Sequence, residues 1–105
     1  MLLKLTMQES IIMQEIWKAG TDISQQELRQ MMKQRTGEWL HRNTISSFLK
    51  ILSEKHYIST YHKGKYRYIH IEKSLESEIK EQAKWTSDFF FQGDKSKLIE
   101  IIESE

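Results

Sequence analysis

The sequence predicts a mainly α-helical protein with a small β-hairpin, arranged as three helices, two strands and a further helical region. Three observations carry that prediction. Thr6-Met7-Gln8-Glu9 and Ser24-Gln25-Gln26-Glu27 have the form of capping boxes, in which a hydroxyl and a carboxylate three residues on satisfy the unpaired amides of a helix start. Apolar residues then recur at helical spacing behind each box and again in the stretch Trp39 to Lys55. Two runs rich in aromatic and branched residues, Tyr57 to Tyr61 and Tyr66 to Ile71, flank the turn His62-Lys63-Gly64-Lys65.

The first helix starts at Thr6, lines up Ile12, Met13, Ile16 and Trp17, and stops at Gly20, a residue that tolerates a left-handed cap. The second follows Ser24, carries Leu28, Met31 and Met32, and stops at Thr36-Gly37; Met at this spacing is core filling. In the third, Ile45, Phe48, Leu49 and Leu52 form one apolar stripe. Asn43, Ser46, Ser47 and Lys50 fall opposite it, and Ile51 lies at its edge. No Ser, Thr, Asp or Asn directly precedes Arg42, so Asn43 is the expected cap, with the helix ending near Lys55-His56.

From Glu72 a longer helical segment places Leu75, Ile79 and Ala83 in line, with Trp85 and Phe89 on an adjoining row. It ends in Phe89-Phe90-Phe91. Gly93 separates it from a last short helix that Asp94 could cap, carrying Leu98, Ile99, Ile101 and Ile102. This tail holds more apolar surface than it can cover itself, and pairing with a second copy would bury Leu75, Ile79, Ala83, Trp85, Phe89, Phe90, Leu98, Ile101 and Ile102.

A chain of 105 residues with 38% hydrophobic content supports one small domain and an appendage. The expected division is 1–71 and 72–105. The charge divides the same way: residues 1–71 hold eleven Lys and Arg against six Asp and Glu, whereas 72–105 hold five against nine. A basic end facing a polyanion accounts for such a split. The absence of cysteine excludes a disulfide framework, a thiolate zinc site and a cysteine nucleophile, and fits a cytoplasmic protein. No apolar run approaches a membrane span of about 20 residues. There is no Gly-rich phosphate loop, His-Glu-x-x-His helix or nucleophile signature. His41, His56, His62 and His70 lack the spacing of zinc-ligand pairs. No enzyme, metal or cofactor is expected.

Three helices followed by a hairpin, with a short polar third helix and a basic tip, is the order of a winged helix-turn-helix domain. The expected partner is double-stranded DNA. Arg42 can fork onto guanine or phosphate, Asn43 can pair with adenine, Ser46 and Ser47 can approach either base, and Lys50 meets a phosphate. His62, Lys63, Lys65 and Arg67 on the hairpin supply charge along the backbone. The competing reading is a winged helix used as a protein-docking module, which calls for exposed apolar anchors on the third helix.

LTMQESIIMQEIWKAG resembles the N-terminal signature of the penicillinase and methicillin-resistance repressor family, where a Leu-Thr-x-x-Glu start leads to Met-x-x-Ile-Trp. NTISSFLKILSEKHYIS is similar to that family's recognition helix, usually Lys-Thr-Ile-Arg-Thr-Leu, six residues, then Lys-Gly. FFFQGDKSKLIEII resembles its aromatic-Gly-Gly stretch and the helix after it. The resemblance implies a homodimeric repressor with an N-terminal winged helix, C-terminal dimerisation helices, and a palindromic operator over a resistance or homeostasis promoter. It makes Thr44 the operator-contacting threonine and sets Asn43 at a common lysine, Ser47 at the second threonine and Ser46 at the usual arginine. The stretch between Trp39 and Thr44 is one residue longer than the family's. In resistance repressors a membrane sensor protease cuts an Asn-Phe bond, and Ile101 and Ile102 stand at those positions, which argues against that route here. The cysteines of the related copper-responsive repressors are absent.

Overall fold

The computed structural model describes residues 5–90. The order is α1 (Met7–Ala19), β1 (Ile23–Ser24), α2 (Gln25–Thr36), α3 (Arg42–Glu54), β2 (Ile58–Lys63), β3 (Tyr66–Ile71) and α4 (Leu75–Phe90). Contacts divide the described residues into two compact units, Leu5–Ser74 and the segment from Leu75.

Both predicted capping boxes form. Thr6 Oγ1 accepts from the Glu9 amide at 3.2 Å and Glu9 Oε1 from the Thr6 amide at 3.3 Å; Ser24 and Glu27 repeat the exchange at 3.1 Å each way. α2 ends where Gly37, at φ 84°, takes the left-handed conformation and returns its amide to Lys33 O. Ile12, Met13 and Ile16 of α1, Leu28 and Met32 of α2, and Ile45, Leu49 and Leu52 of α3 converge on one core. Each such side chain contributes roughly 1.5–3 kcal/mol through burial.

The sheet has one strand more than the hairpin predicted from sequence. β3 is central, in the order β1-β3-β2, antiparallel throughout, with Ile23 opposite Ile69 and Tyr61 opposite Tyr68. Two residues, Ile23-Ser24, are too short to show an alternating pattern. They are extended because Ser24 is also the cap of α2, and a capping residue takes β-region dihedrals. Alternation turns Ile58, Ile69 and Ile23 into the core, and Tyr57 joins them fully buried. The hairpin closes through Gly64-Lys65, Gly64 at φ 64° taking the place where such a two-residue turn calls for glycine.

Long-range polar contacts lock this unit. Trp17 Nε1 donates to Lys73 O at 2.8 Å, and the Trp17 ring meets Tyr57 edge to face at 6.3 Å. Lys55 Nζ pairs with the buried Glu9 carboxylate at 2.5 Å. Burial works to raise the Glu9 carboxyl; hydrogen bonds from Lys55 and Thr6 outweigh it and hold it below its ordinary value.

α3 ends at Glu54 in a Schellman arrangement, with the His56 amide on Ser53 O and the Tyr57 amide on Leu52 O, both at 3.0 Å. His56 carries this turn at φ 67°, a conformation that costs a side-chain-bearing residue about 1–2 kcal/mol. The resembled family pattern has glycine there. We expect His56→Gly to stabilise the protein by about 0.5–1 kcal/mol, the strain relief less glycine's extra unfolded-state entropy, read as a raised urea midpoint at unchanged slope.

Candidate nucleic-acid interface

Burial of Ile45, Leu49 and Leu52 leaves the opposite side of α3 outward. Arg42, Asn43, Thr44, Ser47 and Lys50 are exposed there, and Ser46 is half-buried. The cap differs from the sequence expectation. Asn43 lies inside the helix, and His41 caps it, its Nδ1 accepting from the Asn43 amide at 3.1 Å. Imidazole can do this only while Nδ1 carries no proton, a use of histidine that the preference for Ser, Thr, Asp and Asn does not reveal.

Residues that sequence reasoning passed over position this helix. Gln25, at the start of α2, reaches across with Nε2 to Ser46 Oγ at 3.0 Å and to Arg42 O at 3.4 Å. Arg29, one turn on, donates from Nε to Leu40 O at 3.1 Å and lays its guanidinium 5.4 Å from the Trp39 ring centre. Together they fasten the α2–α3 turn and the N-terminal end of α3. Nothing in the sequence distinguishes Gln25 from Gln26 beside it; the relevant face appears only once α2 and α3 cross.

On the hairpin, His62, Lys63 and Lys65 are exposed, and the Lys65 ammonium lies 5.7 Å from the Tyr66 ring centre. Arg67 differs from them: it is half-buried and faces α3, lining an open cleft of about 410 Å³ with Ser46, Ser47, Leu49, Lys50, Ser53 and Thr60. In the second unit, α4 exposes Leu75 and Ile79 and half-buries Ala83 and Trp85. Phe89 and Phe90 belong to α4, their side chains outside the description, and Leu98, Ile101 and Ile102 lie outside the described residues.

The other face of the hairpin is tied to the loop before β1. Asp22 accepts from Tyr61 Oη at 2.6 Å and pairs with His70 Nδ1 at 2.8 Å, while Tyr61 and Tyr68 stack at 5.6 Å. The Tyr61 and His70 hydrogen bonds lower the Asp22 carboxyl below its ordinary 3.8, and the Asp22 hydrogen bond raises His70 above 6.5 and Tyr61 above 10.0. Glu72 adds a smaller push on His70.

The Asp22 contribution is present above 3.8 and lost as pH falls through its lowered value. The His70 contribution is complete below 6.5 and lost as pH rises through its raised value. The pair is therefore at full strength between those limits. In urea unfolding across a pH series, the deficit of His70→Gln relative to the unmodified chain is expected to be largest in that window and to shrink above it. Because the groups are exposed, the deficit will be small throughout.

The penicillinase repressor family model matches residues 5–104. A solved chain from "The complex structure of hsRosR-S4" is similar in fold, with a TM-score of 0.61 over 98% of this chain and 90% of that one, at 14% identity. At that identity the likeness speaks to the fold alone. No curated protein matches the sequence. Among the described residues no helix is long and apolar enough to cross a membrane. Helix-turn-helix, three-stranded wing and a family match over nearly the whole length agree: the chain belongs to the penicillinase repressor family, a family of DNA-binding repressors of transcription and not of enzymes.

Proposed function

We propose that this protein is a cytoplasmic, sequence-specific repressor that acts as a homodimer on a palindromic operator, over a resistance or homeostasis promoter. The observation that carries the reading is the outward face of α3. Arg42, Asn43, Thr44, Ser47 and Lys50 are exposed together. Arg42 and Lys50 pair with no carboxylate among the described residues. Short donors and acceptors able to approach base edges, flanked by cations for phosphates, suit a major groove. Ser46, held by Gln25 where the family's long arginine stands, still has its hydroxyl proton to donate, so the exchange shifts the preferred operator. The basic hairpin tip of His62, Lys63 and Lys65 supports backbone contact beside that groove.

The region 1–71 is assigned to DNA and 72–105 to dimerisation. Leu75 and Ile79, exposed four residues apart on α4 with Ala83 next in the row, support this: a second copy would bury them. Ile79→Asp is expected to convert the dimer to monomer in sedimentation velocity and to weaken operator binding by at least tenfold, as two half-sites no longer bind together.

A second reading, docking to a protein, draws on Trp39, 52% exposed in the turn just before α3. Fluorescence anisotropy with duplexes selected from a random pool, repeated over a salt series, separates the two. Repression predicts an enriched sequence and affinity falling steeply with salt; no enrichment and flat affinity would leave the docking module. Within the repressor reading, Asn43→Ala should cost about 1–3 kcal/mol at one operator position only. Lys65→Ala should weaken all duplexes alike and reduce the salt slope by about 0.9.

A further inference from the structure

The cleft between α3 and the sheet has the chemistry of an anion seat. Lys50 and Arg67 line it with Ser46, Ser47, Ser53 and Thr60, and no carboxylate is among its lining residues. Neither cation has an ion-pair partner among the described residues, whereas Lys55, Arg35 and His70 each pair with a carboxylate. Arg67 Nε is shielded from water and has no hydrogen-bond acceptor. A guanidinium donor left in that state is costly, and a turn of the Arg67 side chain that opens Nε to an oxyanion in the cleft relieves it through the two-pronged geometry that arginine offers phosphate.

The hydroxyls divide by their present use. Ser47 Oγ gives its proton to Asn43 O at 2.9 Å, while Ser46 Oγ accepts from Gln25 and keeps its proton free. Arg67 sits opposite His62 in the register, on the same side of the sheet as buried Ile69, so strand alternation turns it toward α3 and away from the hairpin tip.

We propose that this cleft seats a single phosphate group, held by Arg67 with Lys50 and with Thr60 and Ser46 as hydroxyl donors. Resting on the repressor reading, that phosphate is one backbone phosphodiester of the operator, gripped where the reading helix and the wing meet. The cleft is open, which admits a polymer, and free inorganic phosphate shares the chemistry and competes for the same place.

The test uses the full chain in two arms. The first measures duplex anisotropy over a salt series for the unmodified protein, Arg67→Gln and Thr60→Val, with circular dichroism confirming the fold. Arg67→Gln is expected to weaken all duplexes about tenfold and to lower the salt slope by about 0.9, one phosphate's worth. Thr60→Val, which keeps the shape, is expected to weaken them about threefold at unchanged slope. The second arm follows the Arg67 Nε–H resonance as inorganic phosphate is added, against chloride at equal ionic strength; a saturable shift with phosphate alone is expected.

If the unmodified protein binds duplex DNA and both variants match it in affinity and slope, the seat is wrong and the repressor reading stands. If duplexes do not bind but phosphate shifts the resonance, the seat is right for a free anion and the repressor reading falls. Failure in both arms removes both. Should Arg67→Gln not fold, Thr60→Val and the resonance decide.

Discussion

Burial of one stripe of α3 is the constraint on which the rest of the structure depends. Ile45, Leu49 and Leu52 are at most 1% exposed, and a helix advancing about 100° per residue that commits those positions inward has no freedom left for the others. The outward face is fixed to within a fraction of a turn. α1, α2 and the sheet supply the other walls of that core, through Ile12, Met13 and Ile16, through Leu28 and Met32, and through Ile58 and Ile69. Removing any wall would leave the stripe wet and the helix free to roll.

Rotation about the helix axis is only part of placement; tilt and the position of the N-terminal end need ties of their own. His41, Gln25 and Arg29 provide them, each through a hydrogen bond to the turn or the first residues of α3. A single bond of this kind adds about 1 kcal/mol, so their value lies in geometry more than stability. Ser46 is part of that geometry. Its short side chain meets Gln25 where the long arginine of the family pattern would extend outward, and the exchange makes the same position a structural tie as well as a polar contact.

Charge is distributed by a similar logic. Cations that hold the fold are paired: Lys55 with Glu9 and Arg35 with Glu15. Those on the α3 face and in the adjoining cleft, Arg42, Lys50 and Arg67, have no carboxylate beside them among the described residues. Paired charges lower the cost of their own desolvation, while unpaired ones keep their field for an outside anion. A net charge of +1 therefore conceals a strongly directional surface.

Much of the architecture is set by interactions within four residues along the chain, and these were open to reading. The capping boxes at Thr6 and Ser24, the glycine stop at Gly37, the helical stripes and the hairpin around Gly64 depend on local geometry that residue type alone nearly dictates. The outward α3 residues followed, because a buried stripe implies its opposite. Contacts between distant residues did not follow. Gln25 reaches Ser46 across 21 positions, Tyr61 reaches Asp22 across 39 and His70 reaches Asp22 across 48. β1 is too short to carry a pattern, the His41 cap uses an unusual acceptor, and Arg67 resembles its hairpin neighbours until pleating turns it toward α3. The sequence by itself determined the elements and the face that α3 presents, since these rest on local periodicity. Only the tertiary structure decided which side chains hold that face in place and which cation lies in the cleft, because those depend on how helices and strands cross.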